Sequence, residues 1–414
     1  MPQRSAIVLG AGMVGVATAV HLQRRGWSVT LVDRKPPGRE TSYGNAGIIQ
    51  SEALRPYPMP RDWRSLLRIA TGRTNDVRYR ATTLPQHVRP LLSYWWHSAP
   101  KRHDLVSAAY AEIIASAAPE HGALIGEAGA SELVRHDGFR VLFREQAAFD
   151  AEAAAAEALR TAHGVQFTML TPQQFKQAEP GLRDAGLGGL HWLEPSTVSD
   201  PGGLVEAYAR LFERLGGTIA RGDAASLSER NGGWSVTGSD GRIDAEAAVV
   251  ALGPWSPDLL NKFGYRIPMV RKRGYHRHYA GGSALELPLR DAACGYVMAP
   301  MRRGLRITTG AELAMPDDKP DAVQLARAEQ AAREIIDLGQ PVEAEPWFGT
   351  RPCMPDMLPV VGRAPRHKGL WLHFGHGHQG FTLGPVTGRV LAELMSGETP
   401  NLDPSPYRAE RFTT

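Results

Sequence analysis

Ala6-Ile7-Val8-Leu9-Gly10-Ala11-Gly12-Met13-Val14-Gly15 is the stretch of this chain whose reading decides the fold. Its first four residues are a short aliphatic run of the kind a buried parallel strand uses. From Val14 to Arg25 a helical pattern follows, ended by Gly26. Val29-Thr30-Leu31-Val32 reads as a second strand and closes on Asp33, eighteen residues beyond Gly15. Strand, glycine turn, helix, strand and terminal acid are thus in register for a dinucleotide fingerprint. Gly10 permits the tight turn, Gly12 lets a pyrophosphate approach backbone N–H groups at Met13 and Val14, and Gly15 packs helix against strand. The helix N-terminus supplies partial positive charge for the phosphates. Asp33 can accept hydrogen bonds from ribose hydroxyls and would repel a 2′-phosphate, an inference that Arg34 beside it tempers.

The 414 residues are enough for two or three domains, and 43% hydrophobic with 22% charged residues argues against disorder. Cys294 and Cys353 are the only cysteines, too few for a disulfide framework or a structural zinc site, which fits a reducing compartment. With 47 basic against 43 acidic residues the excess is small, and the basic residues are scattered except at Arg271-Lys272-Arg273 and Arg302-Arg303, so nucleic acid is not an expected partner. No apolar stretch reaches the roughly 18 residues that span a bilayer. The fingerprint also begins too early to leave space for a secretory h-region. The expected location is cytoplasmic, with peripheral contact at the inner face of the membrane left open. Leu91-Leu92-Ser93-Tyr94-Trp95-Trp96 could make that contact, although buried packing is the expected use of its rings.

Three later stretches bear on which dinucleotide is bound. Thr41-Ser42-Tyr43-Gly44-Asn45-Ala46-Gly47-Ile48, after the second strand, can bring backbone N–H groups beside a flat ligand or a phosphate, or can be an ordinary turn. Ala248 to Gly253 reads as another buried strand ending in glycine, with Trp255-Ser256 starting a helix. Leu370 to Phe374 is strand-like and feeds Gly375-His376-Gly377-His378-Gln379-Gly380, then a helical pattern from Phe381 and Thr382 to Met395. A helix N-terminus aimed at a ring that becomes anionic on reduction would stabilise it, which suits the N1–C2 edge of a flavin.

Together these stretches resemble the FAD-dependent D-amino-acid oxidase superfamily, and most closely its bacterial D-amino-acid dehydrogenase branch. The resemblance is carried by the fingerprint, Val32-Asp33-Arg34, Glu40-Thr41-Ser42 with Asn45-Ala46-Gly47, and Val249-Val250-Ala251-Leu252-Gly253 with Trp255. It continues through Trp347-Phe348-Gly349-Thr350-Arg351-Pro352, Leu358-Pro359-Val360-Val361-Gly362 and Gly375-His376-Gly377, spanning the whole chain in order. Lys272-Arg273-Gly274-Tyr275-His276 departs from the Lys-Gly-Tyr-Ser stretch of broad-substrate dehydrogenases, and His378-Gln379-Gly380-Phe381 is as similar to hydroxyproline-oxidising relatives as to alanine-oxidising ones. The resemblance implies a Rossmann-like α/β FAD-binding domain (1–51, 147–170, 198–262 and 345–414) interleaved with an antiparallel-sheet substrate domain (52–146, 171–197 and 263–344). It implies non-covalent FAD, since the cysteine-attachment motif of sarcosine-oxidising relatives is not evident around Cys353. It places the backbone of Ala225 at the adenine and matches Arg351 to the family's carboxylate-binding arginine.

Oxidising an amino acid at its α-carbon requires a fixed carboxylate, an α-hydrogen aimed at flavin N5 and an unprotonated amine. Arg351 offers the rigid fork that holds a carboxylate, with a salt bridge to Asp356 or Glu345 as the alternative. Tyr275 could bond that carboxylate or pack over the ring, or be buried and structural. Arg273, two residues earlier on the same strand face, could place a cation near N5, or simply be solvated. His373, His376 and His378 alternate along a strand and turn, with no carboxylate or thiol to complete a metal set, so no metal is expected. The expected donor is a D-amino acid, cyclic ones such as hydroxy-D-proline included, and the acceptor is oxygen or a membrane quinone. A glycine- or sarcosine-type amine oxidase and a flavoprotein subunit of a larger complex are the alternatives. A nicotinamide-dependent dehydrogenase would leave the later loops unexplained. Oligomeric state is not fixed by the sequence.

Overall fold

The computed structural model describes residues 4–72, 75, 77–79, 83–315 and 318–412. Ser5–Leu9 becomes the central strand of an eight-stranded sheet, with Ile7, Val8 and Leu9 fully buried. It pairs in parallel with Ser28–Asp33 on one side and Ala247–Val250 on the other. Thr218–Arg230 and Leu370–Phe374 extend the parallel core outward, and short antiparallel strands close both edges. The chain leaves the first strand toward one side and later crosses to the other. A switch point therefore lies between Ser5–Leu9 and Ala247–Val250, the place where open α/β sheets bind ligands beyond their strands' carboxyl ends.

Two helices cover one face of this sheet and pack on each other at unusually close range. Met13–Arg24 follows the fingerprint turn, and Gly380–Ser396 follows the second glycine turn. A Cβ at Gly384 would lie 2.9 Å from Met13 Cγ, and one at Gly388 would lie 2.9 Å from Thr18 N, so these glycines let the helix backbones approach.

A second, eleven-stranded sheet roofs the first unit. Its spine is the long strand Val270–Gly281, which pairs antiparallel with Gly304–Thr309 and Trp347–Cys353. The sheet is mainly antiparallel, as expected, but Arg140 to Leu142 pairs in parallel with Leu289–Asp291, and Val77–Tyr79 with Ala311–Leu313. Two strands differ from the expected division. Phe167–Leu170 and Trp347–Cys353, assigned to the nucleotide-binding unit, both hydrogen-bond into the roof sheet. The partner of Trp347–Cys353, Val270–Gly281, lies some seventy to eighty residues earlier, and Phe167–Leu170 is carried into the roof by the next strand, Gly189–Trp192; no local pattern reveals which sheet a strand joins.

Candidate active site

Between the two sheets lies a cavity of about 1550 Å³, larger than the roughly 300–1,000 Å³ of common small-molecule sites. Of the residues expected to contact the cofactor, all line it except Gly15, Gly47, Gln379 and Thr382, which stand one layer behind. Gly15 is placed as its packing role requires, because a Cβ there would fall 1.8 Å from Gly10 O. Gly10 itself adopts φ +107°, where a side chain is strained and would meet Ala251 O at 2.4 Å.

At the fingerprint end, Gly12 caps the helix without a side-chain hydrogen bond, and no acidic residue occupies the first turn. Met13 N–H donates to Ser42 Oγ at 3.0 Å, so the small-residue loop meets the helix N-terminus directly. Asp33 is fixed at its strand end by N–H donation from Ala11 (2.6 Å) and Lys35 (2.9 Å). Arg34 pairs with Glu40 at 2.9 Å and lies 4.5 Å over the Trp255 ring, so the cation is already engaged. This donor set suits a diphosphate and a ribose without a 2′-phosphate. Ala225 lines the cavity, but its N–H donates to Asp223 Oδ1 (2.9 Å) and its carbonyl accepts from Lys262 Nζ (2.7 Å). Its backbone is therefore committed rather than open.

At the opposite end the second glycine turn presents Gly377, His378, Gly380 and Phe381 to the cavity. Behind them, Gln379 Nε2 donates to Gln50 Oε1 (2.5 Å), and Gln50 Nε2 donates to Glu52 Oε1 (2.5 Å). Glu52, which sequence reasoning missed, ends this relay on the cavity wall, and burial pushes its carboxyl up to about 7. His378 is held neutral, down to about 3, by burial and by the cations Arg351 and Lys272. His373 and His376 both bond Thr387 Oγ1, at 2.8 and 3.0 Å, and His373 also bonds Thr18 Oγ1 at 2.7 Å. These imidazoles tie the turn to the helix pair.

Arg351 lines the cavity and donates to the carbonyls of Gly310 (2.7 Å) and Thr309 (2.9 Å). Neither alternative salt bridge forms; Asp356 instead pairs with Arg411 at 2.6 Å. Burial lowers the pKa of the Arg351 guanidinium, the expected sign for an enclosed cation without a counter-charge. Gly274 makes space for it, since a Cβ there would lie 2.7 Å from Arg351 Nη2. Directly across the sheet, Lys272 is the register partner of Arg351, so both cations share one face, and Lys272 also lines the cavity. Among the described residues, no carboxylate lies within ion-pair distance of either.

That register bears on two expectations. Arg273 and Tyr275 fall on the opposite parity of the roof strand. Arg273 donates to the carbonyls of Met315 (3.1 Å) and Asp318 (3.0 Å), and it does not line the cavity. Tyr275 reaches the cavity wall, but its hydroxyl donates to Glu312 Oε2 (2.6 Å) and accepts from Asp321 N–H (2.8 Å). Arg273 is thus held away from the cavity, whereas the Tyr275 ring stays on the wall with its hydroxyl engaged elsewhere. Val270, Lys272 and Gly274 of the roof strand line the cavity, and His276 on the same strand stacks on Trp347 with ring centroids 4.7 Å apart. Sequence reasoning missed Lys272 because adjacent basic residues give no signal of strand parity.

A parallel nucleotide-binding sheet, a second sheet roofing it and a half-buried cationic pair between them are the arrangement of a dinucleotide-binding enzyme with an anionic substrate. The family described as FAD dependent oxidoreductase (DAO) matches residues 5–394. A D-amino-acid oxidase of Bradyrhizobium diazoefficiens is 30% identical over the full length of both chains. A D-amino acid dehydrogenase of Cereibacter sphaeroides is 34% identical, covering 98% of this chain and 95% of its own. Among solved structures, glycine oxidase from Geobacillus kaustophilus shares the fold with a TM-score of 0.73 at 19% identity, covering 98% of both chains. This chain belongs to the DAO family of FAD-dependent oxidoreductases, and its cofactor is FAD. The nicotinamide alternative is thereby excluded. Among the described residues, no helix is long and apolar enough to cross a membrane.

Proposed function

We propose that this enzyme oxidises the α-carbon–amine bond of a D-amino acid, cyclic members such as hydroxy-D-proline included. The observation that carries the reading is the Lys272–Arg351 pair, two cations side by side on the cavity wall without an acidic partner among the described residues. Like charges directly opposite on a sheet repel, so a bound carboxylate would relieve the arrangement. D-amino-acid-oxidising relatives at 30% and 34% identity supply the amine and the configuration.

In this reading the fingerprint turn from Gly10 to Gly15 and Asp33 hold the diphosphate and ribose of a non-covalently bound FAD, and the turn from Gly377 to Phe381 holds the flavin edge. FAD, when bound, accepts a hydride at N5. Arg351 fixes the substrate carboxylate, and Lys272 adds to the local positive potential. Glu52 is the wall group suited to take the ammonium proton near neutrality, because its carboxyl is pushed up to about 7. The freed nitrogen lone pair then forms the C=N bond as two electrons and the α-hydrogen leave together. Water converts the imino acid to a 2-oxo acid and ammonia, whereas a cyclic substrate leaves as its imine. Oxygen or a quinone accepts the electron pair.

Steady-state kinetics on a D-amino-acid panel test the role of Arg351. Arg351→Ala is expected to raise KM at least about tenfold, a loss above about 1.4 kcal/mol, and Arg351→Lys to recover little of it because an ammonium lacks the fork. Unchanged kinetics in Arg351→Ala would remove it from the site.

A further inference from the structure

Leu91 to Trp96 was expected to bury its rings. The structure leaves Leu92 61%, Trp95 37% and Trp96 54% exposed. Helical spacing explains the arrangement. In Leu84–His97, His87 is buried while Leu84, Leu91 and Tyr94 turn toward the cavity. Val88, Leu92, Trp95 and Trp96 form a second apolar stripe facing outward. The short helix Trp63–Ala70 repeats the pattern, with Leu66 and Ile69 toward the cavity, and Trp63 (68%) and Leu67 (53%) in solvent. Arg61 joins the two helices, lying 3.6 Å over the Trp95 ring and donating to Trp95 O at 2.5 Å. Of fourteen large apolar side chains exposed among the described residues, eight fall between Tyr57 and Leu105. They are concentrated, not scattered.

Charge is concentrated in the same place. The described residues between 55 and 102 include eight arginines and lysines against one aspartate, while the whole chain carries a net charge of only +4. Arg64, Arg89 and Lys101 make no ion pair among the described residues, and Arg102 lies 3.5 Å over the exposed Trp96 ring. Tryptophan and leucine on an outward helix face, ringed by arginine and lysine with almost no acid, match a headgroup layer chemically. The rings seat at the acyl boundary while the cations meet lipid phosphates.

We propose that the outward faces of Trp63–Ala70 and Leu84–His97 form a docking surface for an anionic phospholipid bilayer. The protein lies on the membrane rather than spanning it. The proposal does not depend on which substrate the cavity turns over. Because the same two helices line the cavity with their inner faces, docking sets the bilayer about one helix diameter, roughly 10 Å, from the cavity.

The test is flotation of the FAD-loaded protein with phosphatidylcholine vesicles, with and without about one-third phosphatidylglycerol. Recovery is expected to be at least about tenfold higher with the anionic vesicles and to fall as salt screens the arginines. Two variants keep their FAD and thermal transition but lose this recovery: Trp63→Ser/Leu92→Ser/Trp96→Ser, and Arg64→Glu/Lys101→Glu/Arg102→Glu. Should either fail to fold, the wild-type protein gives the answer through quenching of its tryptophan fluorescence by brominated lipid tails, which docking requires. The proposal is overturned if anionic vesicles do not bind the folded protein, or if binding survives both variants. It is overturned too if brominated lipid leaves the fluorescence unchanged. A dimer that the apolar variant splits, with no vesicle binding, would reassign the face to a second copy of the chain.

Discussion

Lys272 and Arg351 stand opposite each other on neighbouring strands. A like-charged cross-strand pair costs a few tenths to about 1 kcal/mol in the empty protein and returns that cost when an anion binds. Lys272→Met is therefore expected to raise the melting temperature of the substrate-free enzyme slightly while raising KM severalfold. A melting temperature that falls alongside an unchanged KM would make Lys272 a packing residue. Glu52 gives a pH signature. Its carboxyl titrates near 7 in the folded chain against an ordinary value of 4.5, through burial first, so the folded state holds the proton longer than the unfolded one. Stability should accordingly fall as pH rises from about 4.5 to 7, by up to about 1.4 kcal/mol per unit, and then level off. Glu52→Gln removes that slope, which denaturation curves across the window will show as a stability gain growing with pH. Legibility at this scale was uneven. Arg351 stood out through its neighbours in Gly349-Thr350-Arg351-Pro352. Lys272, Arg273 and Tyr275 were ambiguous because side-chain parity depends on register, and register is set by partners more than twenty-five residues away.

Strand–glycine–helix junctions were the most legible elements. Each announces itself locally: an aliphatic run, glycines where the backbone turns, then 3.6-residue periodicity. The close packing of Met13–Arg24 on Gly380–Ser396 was not, since Gly384 and Gly388 acquire their meaning only from the helix that approaches them. Gly388→Val should destabilise the protein by about 1–3 kcal/mol, because its side chain would press on the backbone at Thr18. Thermal unfolding of the variant checks this, and an unshifted transition would mean the helices can separate freely. The helix Leu84–His97 shows the opposite difficulty. An apolar residue at helical spacing looks the same whether it faces a core or a solvent-side partner, so buried rings are the natural expectation for Leu91 to Trp96.

For the molecule as a whole, two sheets enclose one large cavity, and neither completes it alone. The parallel sheet contributes the glycine turns and Asp33, while the roof sheet contributes Lys272 and Arg351. Family and cofactor were legible because the nucleotide-binding motifs lie at strand ends whose sequence is locally distinctive. The domain division was less so, as Phe167–Leu170 and Trp347–Cys353 show by pairing into the roof sheet, the latter with a strand some seventy to eighty residues earlier. The central claim concerns the reductive half-reaction, and an anaerobic titration addresses it without regard to the electron acceptor. The purified yellow protein, mixed with D- and L-enantiomers of a panel including hydroxyproline, should lose its flavin absorbance with one or more D-amino acids and retain it with their L-counterparts. Bleaching by glycine or sarcosine alone, or by no amino acid at all, would contradict the account.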